Sequence, residues 1–226
     1  MEFFMSEDIE KETIDVSVEN LIVRYRVALV AILGAAVVVL LALLVGIVVR
    51  GKSIEKGIER VEDIEFFLTK DAASLDADGV QKRLDDAESK LVPLSSKSGI
   101  VGLRASMLLA DVYMMRGDND SLGKARSVFL SVASSGKSSY AVPLALYNAA
   151  VCSERLGDLD GAVSGFEKAA DFDEFVFGDH SLFSLGRIYE AKGDADNAAK
   201  AYQRLCDAHP SSSWANLAKS RLISLR

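Results

Sequence analysis

Between residues 143 and 210 the sequence is written twice. The first copy reads PLALYNAAVCSERLGDLDGAVSGFEKAADFD and the second DHSLFSLGRIYEAKGDADNAAKAYQRLCDAHP; aligning Gly157-Asp158 with Gly193-Asp194 gives an offset of 36 residues. Self-similarity at this period belongs to stacked helical hairpins, because one hairpin cannot bury its own apolar face and its neighbours must complete the core. In each copy an amphipathic helix runs into a glycine that can adopt the left-handed conformation at a helix C-terminus. Asp158 and Asp160, or Asp194 and Asp196, then offer caps for a second helix. That helix carries Ala162, Phe166 and Ala169 in one copy and Ala198, Tyr202 and Leu205 in the other, spaced to share one face. Ala149-Ala150 and Leu185-Gly186 put small side chains where the paired helices must approach closely.

These residues resemble the tetratricopeptide (TPR) repeat. The copy from Asp179 to Pro210 follows that pattern through Leu182, Leu185, Gly186, Tyr189, Gly193, Asp194, Ala198, Tyr202 and Pro210. The copy from Pro143 to Asp173 departs from it: Ala150 replaces the small Gly, Ser153 replaces the aromatic, and no Pro closes it. A third copy lies over residues 99–134, where Leu109-Ala110, Tyr113 and Gly117-Asp118 repeat the first helix, and Ala125, Phe129 and Ala133 the second. Its glycine precedes the next by 40 residues, which predicts a longer turn at NDSLGK and a connector at Ser134–Ser139. After Pro210, Ser211–Ser213 can cap a last helix whose apolar face is Trp214, Leu217, Leu222 and Leu225, a closing cap for the stack with Trp214 as core filler.

Nearer the N-terminus, Ile54, Ile58, Val61, Ile64 and Leu68 recur at helical spacing, and Gly51 and Gly57 weaken that helix. A following helix, from about Asp76 to Leu91, presents Val80, Leu84, Ala87 and Leu91 and is expected to stop at Pro93. Together they read as a degenerate hairpin; a short heptad-driven dimer is the competing reading.

The second organising feature is VALVAILGAAVVVLLALLVGIVV, Val27–Val49, 23 residues with no polar side chain. As a helix it extends roughly 34 Å, enough to cross a bilayer core. The acidic lead, the length of the run and the lack of a small-x-small site after it argue against a cleaved signal peptide, and for a retained single span. Ala28, Ala31, Ala35, Ala42 and Gly46 form a small-residue stripe along it. Such a stripe suits close packing against a partner's span or a second copy, although ordinary membrane composition produces the same pattern. Flanking basic residues, Lys11, Arg24 and Arg26 before the span and Arg50, Lys52, Lys56 and Arg60 after it, leave orientation open.

The formal net charge of −7 is concentrated in residues 1–23, which hold seven acids and only Lys11. The remainder is near neutral and offers no basic face for nucleic acid. Gly46-Ile-Val-Val-Arg-Gly51-Lys52-Ser53 satisfies the phosphate-loop pattern, but Gly46 falls inside the apolar run and no strand precedes it, so no nucleotide is expected. His180 and His209 have no metal-ligand spacing, and Cys152 and Cys206 lie among apolar neighbours in helices. No catalytic, metal-binding or cofactor-binding constellation is identified, and a non-enzymatic role is expected.

Binding remains. The first helices of such hairpins line the concave side of a solenoid. By helical phase, the side chains there free of core duty are Met107, Asp111, Met114, Tyr147, Arg155, Phe183 and Arg187, a mixture suited to adaptable contact with another polypeptide. Packing of this face on the protein's own terminal helices is the alternative.

The expected fold is all-α: an N-terminal transmembrane helix followed by an α-solenoid of helical hairpins. Residues 1–26 form an acidic, disordered tail, 27–49 the span, 50–98 a membrane-proximal hairpin, and 99–226 the repeats with their capping helix. This layout resembles the single-pass ancillary subunits of the bacterial Sec translocon. The resemblance implies an inner-membrane protein with periplasmic repeats that contact the translocon, secreted chains or chaperones. A cytosolic repeat domain, as in N-anchored mitochondrial import receptors, is the other topology the charges allow.

Overall fold

The computed structural model describes residues 2–135 and 140–225, with the side chains of residues 2–22 and of Leu29 left out. Every regular element among them is helical: α1 (Glu2–Thr69), a 3-10 turn (Ala72–Ser74), α2 (Ala77–Ser95), α3 (Ile100–Arg116), α4 (Asn119–Ser135), α5 (Ala141–Arg155), α6 (Leu159–Ala170), α7 (Gly178–Ala191), α8 (Ala195–Ala208) and α9 (Ser213–Ser224). The chain divides into two compact units, Met1–Glu55 and Lys56–Arg226.

The first unit is the N-terminal part of α1. The acidic lead, expected as an irregular tail, is assigned to this helix from Glu2, and its side chains through Ile22 lie outside the described residues. Between Val27 and Val49 the helix carries no polar side chain, and none of its most apolar window is buried within the chain. It is the one helix among the described residues long and apolar enough to cross a membrane.

The second unit is a succession of hairpins in which each helix packs on the next, from α2 against α3 through α8 against α9. One core joins Val61, Ile64 and Leu68 of α1 to Leu84, Ala87 and Leu91 of α2 and continues through Phe129 to Cys152. A second core centres on Phe166, Leu185 and Ile188, and a third on Leu182, Tyr202, Leu205 and Ala218. Stability in such a stack is a sum of neighbour contacts.

The turns follow the repeat chemistry. Gly117, Gly157 and Gly193 have φ of 76°, 79° and 75°, left-handed values at which a side chain would be strained. The aspartate directly after each glycine is the cap: Asp118 accepts from the Ser121 N–H at 2.9 Å, Asp158 from Gly161 at 2.9 Å, and Asp194 from Asn197 at 3.1 Å. Close approach decides two helix-interior positions. A Cβ on Gly165 would fall 2.7 Å from the Ala150 Cβ, and one on Gly186 would fall 2.5 Å from the Tyr202 ring.

Several expectations are corrected. The α3–α4 turn is not lengthened: α4 begins at Asn119, because Asp118 caps it at once, and NDSLGK is helix. The additional residues lie in the 17-residue α4 and the connector after it, of which residues 136–139 are outside the described residues. Pro93 does not stop α2, which continues to Ser95. Pro93 lies on the exposed side of the last turn, where water can reach the Ser89 carbonyl that it leaves without a partner. Gly57 is no weak point, since it is buried in α1, where a Cβ would lie 2.7 Å from Val101. On α9, Trp214, Leu222 and Leu225 pack against the third core as expected, but Leu217 is turned outward at 52% exposure, and the fully buried residues are Ala215 and Ala218.

Candidate functional site

The first-helix face is built by repetition. Met107, Tyr147 and Phe183 each stand ten residues before their turn glycine, so they occupy equivalent places on α3, α5 and α7. Asp111 and Arg187 share the place six residues before it. The face is therefore apolar in one row, while the next reads Asp111, Val151 and Arg187.

Its members are partly engaged by the chain itself. Met107 and Met114 rest on the first core, Tyr147 on the second and Phe183 on the third. Tyr147 meets Phe166 edge-on at 5.5 Å and also stacks on Phe177 at 6.0 Å. Phe183 lies 4.8 Å from Trp214, so the capping helix covers this end of the face. Trp214 also meets His180 at 4.5 Å and acts as packing. Arg187 holds Glu154 through both guanidinium nitrogens, and Arg155 donates to the Met114 carbonyl at 3.2 Å. The Glu154–Arg187 pair crosses from one hairpin to the next, as do Arg126–Asp158 and Arg204–Asp171, both at 2.8 Å.

Asp111 is different. It is partly buried and has no hydrogen bond or ion pair among the described residues. Burial, reinforced by the charge of Glu65, pushes its carboxyl up to about 6. The Asp111 carboxylate, like the Tyr147 hydroxyl, is left without a hydrogen-bond partner on this face among the described residues.

Nucleophilic chemistry has no support at the cysteines. Burial pushes the Cys152 thiol up to about 11, against the lowering influence of Arg155 and Arg126, so it is neutral at physiological pH. Cys206 is free and partly buried. Among the described residues no three His, Cys, Asp or Glu side chains gather as a metal site.

The connection between α6 and α7 carries no repeat motif in the sequence. It places Phe172, Phe175, Val176 and Phe177 beside Tyr140 and Leu144 around an open groove of 610 Å³. Four bulky apolar residues within six, between acids, in a segment without helical period, was the available signal.

The comparisons agree with this geometry. Residues 144–171 and 180–212 match the family model described as tetratricopeptide repeat. A TPR repeat-containing protein of Treponema pallidum (strain Nichols) is 30% identical over 129 residues, covering 57% of this chain and 53% of that protein. The chain thus spans about half the length of that relative. Among solved structures, a tetratricopeptide repeat protein from Parabacteroides merdae aligns over 77% of this chain and 60% of its own, with TM-score 0.56 and 17% identity. TPR-like repeats from Podosopora anserina align over 74% of this chain and 83% of theirs, with TM-score 0.57 and 14% identity. These last two likenesses concern the fold. Over residues 144–171 and 180–212, from α5 to the turn before α9, the chain carries two copies of the tetratricopeptide repeat pattern.

Proposed function

We propose that the chain is a membrane-anchored scaffold of the cell envelope, whose hairpin stack binds other proteins while α1 holds it in the bilayer. The observation that carries the reading is the contrast in burial. The stack buries its own apolar residues, whereas Val27–Val49 has none of its described side chains buried. Water is a poor solvent for such a helix. The sixteen Val, Leu and Ile residues of this stretch favour lipid by on the order of 5–10 kcal/mol in total. Ala28, Ala31, Ala35, Ala42 and Gly46 then supply the face along which a second span can pack closely.

The binding function is assigned to Met107, Asp111, Met114, Tyr147 and Arg155, with Phe183 and Arg187 nearer the covered end. Asp111 is the preferred contact, for a lysine, arginine or amide donor of the partner. The preferred topology puts the repeats on the periplasmic side, assisting translocation or chaperone networks. The four basic residues after the span against three before it favour the cytosolic alternative.

Fusions of alkaline phosphatase and of a fluorescent protein to the C-terminus separate the two topologies. An active phosphatase with a dark fluorescent fusion is expected; the reverse pattern would move the repeats to the cytosol. Photo-crosslinking from position 111 in cells should yield adducts with other proteins that Arg155→Glu diminishes. A crosslinking pattern indifferent to that change would remove this face from the account.

A further inference from the structure

The α6–α7 connection exposes Phe172, Val176 and part of Phe177, and its shape is fixed from beneath. Phe175 and Phe177 pack over Tyr147, with rings 6.2 and 6.0 Å from it and 5.8 Å from each other, Phe177 remaining partly open to solvent. Two consecutive turns hold the backbone: the Phe175 N–H donates to the Phe172 carbonyl at 3.1 Å, and the Gly178 N–H to the Phe175 carbonyl at 2.9 Å. Between the anchored rings, Val176 is 84% exposed, and Tyr140 on the opposite wall is 74% exposed. Apolar surface displayed this openly on a preformed support marks an interaction site.

Charge selects the occupant. Asp171 is paired with Arg204, and Asp179 accepts from the Ser212 hydroxyl at 2.6 Å. Asp173 and Glu174, which line the groove, have no ion pair or hydrogen bond among the described residues. The sequence from Ala169 to Gly186 contains no lysine or arginine. An acidic rim around an apolar floor repels acidic segments and anionic lipid headgroups, and attracts cations that arrive with bulky apolar neighbours.

We infer that this groove is a second docking site, separate from the first-helix face, for a partner segment in which lysine or arginine alternates with large apolar side chains. The inference rests on the reading of the stack as a protein-binding scaffold. It adds a partner chemistry and a place: Val176 and Tyr140 grip the apolar side chains, while Asp173 and Glu174 hold the cations.

The test uses the full chain in nanodiscs of neutral lipid. Three labelled eight-residue peptides are titrated by fluorescence anisotropy: one alternating lysine with leucine and phenylalanine, one with glutamate in place of lysine, and one with serine in place of the apolar residues. The lysine–apolar peptide should bind at least about tenfold more tightly than either of the others, and less tightly as salt is raised. The double change Asp173→Lys/Glu174→Lys should weaken it by about tenfold, and Val176→Asp by a similar factor. All three positions are exposed, so thermal unfolding of these variants should match the parent, and a photo-crosslinker at position 176 should capture the peptide. Equal affinity for the lysine and glutamate peptides would overturn the inference. So would binding that Asp173→Lys/Glu174→Lys leaves unchanged but Arg155→Glu abolishes, an outcome that keeps the scaffold reading and sends the peptide to the first-helix face. Self-association lost in Val176→Asp, with no peptide bound, would give the groove to a second copy instead and also end the inference.

Discussion

Between Val27 and Val49, α1 has apolar residues on every side, and its described side chains stay exposed. Over Ala195–Ala208, α8 turns Ala198, Ala201, Tyr202 and Leu205 into the stack and leaves Lys200, Gln203 and Asp207 in water. Both are regular helices, so local propensity does not distinguish them. The distribution of apolar side chains around the axis does: a stripe needs a neighbouring helix, whereas a full circumference needs another solvent. The comparison separates two sources of stability in one chain: nearest-neighbour packing for the repeats and, on the function proposed above, lipid for Val27–Val49.

The contrast breaks most strongly in the span. Leu40→Arg with Leu41→Arg should disfavour insertion by about 5–7 kcal/mol. Fractionation should then find the chain out of the membrane, while circular dichroism shows the repeat helices intact. Loss of the repeat fold as well would mean that the two regions are not independent.

Inside the stack the largest expected effect is at Gly186. Alanine there forces its methyl toward the Tyr202 ring, which should destabilise by about 1–3 kcal/mol even after the gain in helix propensity. Chemical denaturation reads the loss, and Tyr202→Leu should recover part of it, since the two positions are coupled. Equal losses in both backgrounds would show that the contact is not the cause.

Asp111 gives a pH-dependent effect of about 1–3 kcal/mol. Its folded carboxyl titrates at about 6, above the ordinary 3.8. The stability contributed by the protonated form is therefore complete below about pH 4 and is lost as pH rises through about 6. Asp111→Asn should raise the unfolding midpoint at pH 8 and leave it nearly unchanged at pH 4; a gain independent of pH would point to some other cause.

The smallest effect concerns Tyr202, whose buried hydroxyl faces the Glu190 carboxylate but makes no hydrogen bond of normal geometry. Tyr202→Phe removes that group and should be neutral or stabilising by about 0–1 kcal/mol. A clear loss of stability would reveal a partner for the hydroxyl.

The hairpins were legible because their signals are local and repeated. Gly-Asp at the turn, an alanine and an aromatic on one face of the second helix, and small residues at the crossing each have one physical meaning, and the structure uses them that way at Gly157, Phe166 and Gly186. Signals dependent on environment were read less well. Pro93 breaks a helix only where its orphaned carbonyl lacks water, and Gly57 loosens one only where no neighbour fills its space. Leu217 shares a helical face with Trp214 by spacing, yet it is turned outward while Ala215 and Ala218 are buried, a choice fixed by how α9 lies on its neighbours rather than by period. On the first-helix face, periodicity located the residues but not their partners. That Arg187 is spent on Glu154, and that Asp111 has no partner, depends on neighbouring hairpins one repeat away. The α6–α7 groove was hidden for the same reason, since Tyr140 and Val176 are brought together only by stacking.

The most direct test is alkaline carbonate extraction of membranes from cells expressing the full chain, followed by immunodetection of the repeats. The account predicts that the protein stays in the membrane pellet and that removing residues 27–49 releases a folded, helical stack to the supernatant. A full chain that extracts into the supernatant, or a released stack that has lost its helices, would contradict it.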